Sequence, residues 1–274
     1  MGGGQFCFLA SCRRYQGWGV GLPRCFSVPI TLSVLAIAAS SASAAEVKIP
    51  TDANEPVQYV LAFAGFDIAS HGSMLGYAGG QFAPFGGLDN SGLRFWLSGG
   101  RGTYKYPADS DTIRGDHWTG SALAGFGIES ENVSWNYYVG LNVQDHHLSA
   151  PDPDNSVQGT AIGVELRSDI WLNPTAQTLL YSEASYSTAF QTYYATAKVG
   201  YDIAAIMGKV NSRQLFFGPQ VAFAGDERSD EWRVGAHLTT ANWGKVNFEI
   251  SAGYLHDRDN GAGAYGVIEV NTRF

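Results

Sequence analysis

Charge is sparse in this chain, and cysteine is missing from most of it. Charged residues make up 15% of the 274 residues, against about 25% in ordinary soluble domains. The three cysteines, Cys7, Cys12 and Cys25, all precede residue 45. A mature chain that begins after residue 44 therefore has no disulfide, no thiolate metal ligand and no cysteine nucleophile.

Long apolar runs are missing after residue 44. No segment there approaches the roughly 18 uninterrupted apolar residues that indicate a membrane-spanning helix. Basic side chains are also few, because residues 45–274 carry 14 Lys and Arg against 25 Asp and Glu, a formal charge of −11. Nucleic acid binds basic surfaces, so no nucleic-acid partner is expected.

The first 44 residues have the three parts of a secretory signal peptide. Residues 1–27 contain three arginines and no acidic residue, residues 28–39 form an apolar core, and Ala42-Ser43-Ala44 fits the small-x-small cleavage pattern. The core is too short to cross a membrane as a helix. We therefore predict a signal peptide at 1–44, a periplasmic linker at 45–56 and one domain at 57–274.

The later chain alternates apolar with mostly polar or small residues, in segments of about ten residues. In residues 133–144 the apolar set is Val133, Trp135, Tyr137, Val139, Leu141 and Val143. Side chains alternate faces along a strand, so this period predicts β-strands with one apolar face. About twelve strands are predicted, centred near Phe63, Tyr77, Phe95, Leu123, Val139, Leu166, Tyr181, Ala197, Phe217, Gly235, Ile250 and Ile268.

The end of the chain indicates the kind of sheet. Residues 262–274 alternate in the same way and stop on Phe274, which resembles the usual ending of a bacterial outer-membrane barrel. Aromatic residues near the ends of the apolar faces fit the two interfaces of a membrane; they are Trp118, Trp135, Trp232, Tyr254 and Phe274. We predict an all-β fold, a transmembrane antiparallel up-and-down β-barrel of about 12 strands.

A soluble two-layer sandwich or lipocalin-like barrel shows the same alternation, with its apolar face turned inward. The polar faces here are rich in Gly, Ser, Thr and Asn and poor in lysine, which favours a lumen over a water-exposed surface. Polar segments at 106–116, 145–158 and 225–230 predict long loops after the third, fifth and ninth strands. Shorter turns are predicted after the fourth, sixth and tenth strands, as in a membrane barrel, but the first and eighth connections do not follow this alternation.

Four short segments resemble a known family. They are Phe216-Phe217-Gly218-Pro219-Gln220, Asp230-Glu231-Trp232-Arg233-Val234-Gly235-Ala236-His237, Ser251-Ala252-Gly253-Tyr254 and Gly261-Ala262-Gly263-Ala264-Tyr265-Gly266. The chain from about Tyr59 to Phe274 is similar to the cellulose biosynthesis protein BcsS family, whose members are thought to be outer-membrane barrels. The resemblance implies a role in cellulose production or passage through the outer membrane, and it carries no catalytic signature.

Ionisable residues of both signs fall on the predicted inner face. They are Arg94, Glu165, Arg167, Asp169, Glu183, Lys198, Asp202, Arg233, His237, Glu249, Glu269 and Arg273. Charges in a confined lumen need partners, so one interpretation is a hydrated, salt-bridged filling that makes the barrel rigid. The other is a polar path whose charge rings tune selectivity for a small solute or a sugar chain.

Six aromatic residues share that inner face and are candidates for stacking on sugar rings, because each combines a flat apolar body with a polar edge. They are Trp96, Tyr138, Trp171, Tyr181, Tyr194 and Tyr265. Simple filling of the lumen is the alternative for each ring.

No metal or other cofactor is expected. His146 and His147 stand beside Asp145, but the segment has no regular ligand spacing, and its prolines read as turn chemistry. An enzyme needs a nucleophile, a base and an orienting group in mutual reach. The His71-Gly72-Ser73 tripeptide alone does not supply them, and no catalytic residue is predicted.

The expected function is a non-enzymatic outer-membrane barrel that aids export or surface organisation of bacterial cellulose. The expected partners are outer-membrane lipid, the barrel-assembly machinery with Phe274 as its signal, and cellulose or other cellulose-secretion components. A small general porin, a periplasmic binding barrel and an outer-membrane lipid hydrolase are the alternatives.

Overall fold

The computed structural model describes residues 57–108, 111–206, 214–241 and 246–274, in which twelve strands dominate. The strands are β1 (Val60–Ala69), β2 (Ser73–Phe82), β3 (Gly92–Ala108), β4 (Asp111–Ser130), β5 (Val133–Leu148), β6 (Gly159–Thr175), β7 (Thr178–Ser187), β8 (Tyr193–Asp202), β9 (Gln214–Gly225), β10 (Asp230–Ala241), β11 (Val246–Asp257) and β12 (Gly261–Arg273). A 3-10 turn covers Ser70–Gly72, and helix α1 covers Ile203–Ile206. Every predicted strand centre falls inside a strand.

The predicted signal peptide and linker, residues 1–44 and 45–56, lie outside the described residues. Within the described part of the chain, no helix is both long and apolar enough to cross a membrane.

The twelve strands form one closed antiparallel barrel. Each strand pairs with its neighbours in the chain, and β1 pairs with β12 from Leu61 opposite Arg273 to Ala69 opposite Tyr265. Backbone bonds between Val60 and Phe274 continue the closure, with Phe274 N donating to Val60 O over 2.8 Å. Closure leaves no unpaired strand edge, as a chain in hydrocarbon requires.

The apolar face of the barrel is turned outward. Leu97 and Ile162 are 67% and 70% exposed on the outer wall, whereas Arg94, on the opposite face of β3, is fully buried. The five predicted interface aromatics are also exposed on the outside, and the rings of Trp232 and Tyr254 lie 5.4 Å apart. The prediction of a transmembrane barrel is therefore confirmed, and the inward-facing alternative is wrong.

The barrel has two different rims. We call the rim where β1 begins and β12 ends the proximal rim, and the opposite one the distal rim. Strands β3 to β6 have 16 to 20 residues, against 10 in β1 and β2. Because β3 to β6 are so much longer, they rise above their neighbours at the distal rim.

This extension corrects one predicted loop. Residues 106–116 were expected to connect β3 and β4, yet β3 runs to Ala108 and β4 begins at Asp111, with Tyr106 paired opposite Ile113. The outer wall there is polar, because Arg101 and Arg114 are exposed and the side chain of Asp116 is 46% exposed. These strands therefore continue beyond the apolar belt into water.

Candidate functional site

The lumen holds a cavity of about 2380 Å³ that reaches both rims. Gln58, Asp89 and Gln177 line it at the proximal rim, and Asp152 and Asn260 line it at the distal rim. The lining therefore extends over the full height of the barrel.

Acidic residues dominate the described lining, with sixteen carboxylates against six Lys and Arg. The acidic residues are Asp67, Asp89, Glu131, Asp152, Asp154, Glu165, Asp169, Glu183, Asp202, Asp226, Asp230, Glu231, Glu249, Asp257, Asp259 and Glu269. The basic residues are Lys105, Arg167, Lys198, Arg228, Arg233 and Arg273. Ten of the twelve predicted inner-face ionisable residues line the cavity, and the other two, Arg94 and His237, do not.

Arg94 fastens a loop at the proximal rim. Its guanidinium donates to the carbonyl oxygens of Leu88 at 3.1 Å and Asn90 at 2.6 Å, and it lies 3.6 Å from the carboxylate of Glu129. The side chain of Arg94 therefore anchors the connection between β2 and β3.

His237 is packed into the wall. Its Nδ1 is 2.8 Å from the hydroxyl of Thr239, and its Nε2 is 3.1 Å from the carbonyl oxygen of Val199. The imidazole lies close to Gly200, where a Cβ would approach its Cε1 to 3.2 Å. Both ring nitrogens have protein partners, so the residue has a structural place in this geometry.

The cations in the middle of the lumen are paired. Arg167 binds Glu183 and lies 3.9 Å from Glu165, and Lys198 binds Glu249. The pair of Arg167 and Glu183 joins the neighbouring strands β6 and β7. The pair of Lys198 and Glu249 joins β8 and β11.

Two further cations are held in the same way. Arg233 bridges from β10 to Asp67 on β1 at 2.6 Å and also binds Glu231. Arg273 contacts Asp89 at 3.1 Å at the proximal rim. Basic charge in the lumen is thus largely neutralised by its neighbours.

Two lumen carboxylates lie directly opposite each other on neighbouring strands, and in the described structure only one of them has a cation partner. Glu249 and Glu269 are direct cross-strand partners on β11 and β12, an arrangement in which like charges repel. Lys198 binds Glu249, while the hydroxyl of Tyr77 donates to Glu269 over 2.9 Å. The pair places two carboxyl groups side by side at mid-height in the lumen.

Cations cover three of the six candidate sugar-stacking rings. The guanidinium of Arg167 lies 4.1 Å from the centre of Trp96, whose ring also stacks with Phe63 at 4.8 Å. Lys198 lies 5.0 Å from the ring centre of Tyr181, and Arg233 lies 5.0 Å from that of Tyr265. Cation–π contact takes up ring surface that stacking would need.

Two other rings pack on their neighbours. Tyr138 is buried beside Gly125 and lies 5.7 Å from Trp96, and Trp171 meets Phe216 edge-on at 6.4 Å. Tyr194 is 38% exposed into the cavity. It is therefore the candidate ring that the described residues leave accessible to a solute.

The segment around His146 differs from its prediction as a turn. Residues 145–148 belong to β5, and the loop begins at Ser149. The ring of His146 stacks on that of His117, with 5.2 Å between ring centres, and its Nδ1 hydrogen-bonds the hydroxyl of Tyr104 at 3.1 Å. The Nδ1 of His147 lies 2.9 Å from the carboxylate of Asp145. In the described chain, no group of three or more His, Cys, Asp or Glu side chains is arranged to hold a metal ion.

The His71-Gly72-Ser73 tripeptide, for which the sequence predicts no catalytic role, connects β1 to β2. His71 lies in the 3-10 turn with a left-handed φ of 67° and is exposed to solvent. Among the described residues, no hydrogen bond joins a serine hydroxyl to a histidine ring.

The sequence interpretation missed several lumen residues on the first two strands. Phe63, Asp67 and Tyr77 all line the cavity, and Asp67 lies between the outward-facing Phe66 and Ile68. The inner face of β1 carries the apolar Leu61 and Phe63 as well as Asp67. Because of this mixture, the sequence pattern did not identify that face as the polar one. The period-2 pattern alone would have placed Asp67 inside once Phe66 and Ile68 were taken as outward.

Comparison with solved structures finds distant barrels. The KdgM porin is 10% identical, with a TM-score of 0.40 over 78% of this chain and 99% of that one. The translocator domain of the autotransporter NalP from Neisseria meningitidis is 14% identical, with a TM-score of 0.42 over 81% and 90%. LpxR from Salmonella typhimurium is 12% identical, with a TM-score of 0.42 over 78% and 100%. The search of curated protein sequences gave no match.

A family model gives a closer relationship. The model described as cellulose biosynthesis protein BcsS matches residues 61–274, a span that takes in the whole barrel except the first residue of β1. The family expected from the four short segments is thus confirmed over the full set of strands. The chain belongs to the cellulose biosynthesis protein BcsS family.

Proposed function

We propose that this protein is a non-enzymatic outer-membrane barrel that aids export of bacterial cellulose or its organisation at the cell surface. The observation that carries the proposal is a polar cavity lined by residues of both rims, found in a member of a cellulose-biosynthesis family. A cavity that reaches both rims supports a passage more than a sealed plug.

The chemistry of the wall suits a hydroxylated, uncharged polymer. Carboxylates accept hydrogen bonds from sugar hydroxyls, and sixteen of them line the described cavity. The ring of Tyr194 offers an apolar surface to one sugar face. Cellulose carries no charge, so it enters an acidic lumen without repulsion.

The orientation of the barrel follows from the proposed route. A signal peptide at 1–44 delivers the chain to the periplasm, and a linker at 45–56 leads into β1. The proximal rim then faces the periplasm, and the taller distal rim faces the outside of a Gram-negative cell. The barrel-assembly machinery inserts the chain, with Phe274 as its signal.

A deletion strain tests the function. We expect less exported cellulose or disordered fibres, measured by dye binding and electron microscopy, with recovery when the wild-type chain is restored. Normal output together with normal fibre architecture would remove the cellulose role. A small general porin, the second candidate, predicts that outcome together with ion conductance of the purified protein in a planar bilayer.

A pair of substitutions on β7 tests whether the route is the lumen. Ser185 lines the cavity, whereas Ala184, next to it, is exposed on the outer wall. Ser185→Trp narrows the lumen, and Ala184→Trp adds the same ring to the lipid side. We expect Ser185→Trp to lower cellulose output several-fold and Ala184→Trp to leave it unchanged. An equal output from both variants would favour surface organisation over passage.

A further inference from the structure

We propose that the lumen is a cation-preferring passage, which admits neutral and positively charged solutes and rejects anions. This inference rests on the lumen being open, as the proposed function holds, and adds the class of solute that it selects.

The first support is the charge left over after pairing. Of the six basic side chains that line the described cavity, Arg167, Lys198, Arg233 and Arg273 make ion pairs with lining carboxylates. Seven of the sixteen acidic side chains form ion pairs, and the other nine have no basic partner in the described structure. A low-dielectric wall strengthens the field of such a surplus inside the passage.

The second support is the distal entrance. The loop between β5 and β6 contributes Asp152 and Asp154, and the loop between β9 and β10 contributes Asp226. Asp257 and Asp259 come from the end of β11 and the turn after it. Five carboxylates from three separate connections thus line one mouth, together with the basic side chains of Lys105 and Arg228, and an excess of acidic side chains at a mouth selects cations in pores.

The test is the reversal potential of the purified barrel in a planar bilayer under a tenfold KCl gradient. We expect K⁺ to permeate at least several-fold better than Cl⁻. The triple variant Asp226→Asn, Asp257→Asn, Asp259→Asn is expected to bring the ratio toward one. Asp116→Asn is the matched control, because it removes a carboxylate at the same end but on the exposed outer wall.

Glu269→Gln is a second variant, at mid-height, in case the triple variant fails to fold. Heat-dependent mobility on gels reports whether each variant forms the barrel. A measurable current with a reversal potential at zero, or on the Cl⁻ side, would contradict the cation preference, although it would still show an open passage. A flat baseline overturns the passage itself and the inference with it.

Swelling of liposomes that contain the barrel extends the test to sugars of matched size. Glucose, glucosamine and glucuronate differ chiefly in charge. We expect entry of glucose and glucosamine to be several-fold faster than entry of glucuronate, and equal rates for all three would contradict the selectivity.

Discussion

Glycines on the lumen face let aromatic rings lie flat against the neighbouring strand. Tyr138 is the cross-strand partner of Gly125, and a Cβ at Gly125 would come within 2.8 Å of the Tyr138 ring and overlap the carbonyl oxygen of Tyr137. Tyr77 covers Gly65 in the same manner. The missing side chain is what allows these rings to fit in the wall.

Gly125→Ala is therefore expected to destabilise the barrel by about 1–3 kcal/mol, the usual cost of overpacking. Gly120, also on β4, is the control, because a Cβ there would have its nearest contact at 3.8 Å. Urea unfolding in detergent micelles measures both variants. Equal free energies of unfolding for Gly125→Ala and Gly120→Ala would show that β4 and β5 move apart to accept the extra methyl group with little loss of free energy.

Two arginines hold the same loop with unequal strength. Arg94 is fully buried against Leu88, Asn90 and Glu129, whereas Arg273 contacts Asp89 in solvent. Loss of one partner of a buried pair leaves the other charge uncompensated, at a cost of about 3–5 kcal/mol, but an exposed pair contributes about 1 kcal/mol at most.

We expect Arg94→Leu to lower the free energy of unfolding by several kcal/mol and Arg273→Leu to change it little. Proteolysis of the connection between β2 and β3 gives a second measurement, since Arg94→Leu should expose it to cleavage. A loop that stays resistant in Arg94→Leu would assign its anchoring to other contacts.

For single residues, the sequence pattern predicts which face of the strand a side chain lies on but not which residues it contacts. Trp96 was correctly placed inside, yet Arg167 comes from β6 and Phe63 from β1 to cover its ring. Contacts across a barrel depend on strand stagger, which no period-2 pattern contains. The same limit applies to His237, whose partner Val199 lies two strands away.

The ends of the strands were harder to predict from the sequence than their centres. The alternation over 106–116 is polar on both faces, so it resembles a loop, although Tyr106 and Ile113 pair across a continuous ladder. Inside the membrane one face must be apolar, and that contrast makes a strand visible in sequence. Above the membrane the contrast disappears, so the twelve strands were predictable and the extension of β3 and β4 was not.

Strand β12 gives a prediction about assembly. The backbone of Phe274 bonds to Val60 and Tyr59, but its ring is 60% exposed. Phe274→Ala keeps these backbone bonds and removes only the ring. We expect the purified, refolded variant to unfold at nearly the wild-type urea concentration, while its amount in the outer membrane of cells falls several-fold.

Phe66→Ala, an outward substitution on β1, is the control for simple loss of apolar surface, because Phe66 is also exposed. It is expected to reach the membrane normally. Equal losses for the two variants would assign the effect to lipid contact and not to recognition by the assembly machinery.

As a whole, the molecule carries its surplus of acid in the lumen and at the distal mouth, so its selectivity has to depend on pH. Asp226 lies in the loop between β9 and β10, outside the membrane-spanning strands. Burial raises its pKa, and the charges of Glu227 and Asp259 raise it further, against backbone N–H donation from Arg228 and Ser229. A raised pKa means that this carboxylate takes up a proton before an ordinary aspartate, whose pKa is about 3.9.

Acidification from pH 7 is therefore expected to lower the K⁺ to Cl⁻ permeability ratio before the solution reaches the ordinary aspartate range, because the mouth loses negative charge there first. Reversal potentials at pH 7, 6, 5 and 4 measure the ratio. Asp226→Asn has already lost that charge, so its ratio starts lower at pH 7 and changes less between pH 7 and 5. A wild-type ratio that stays constant down to pH 4, or an identical decline in Asp226→Asn, would mean that selectivity is set deeper in the barrel than its distal mouth.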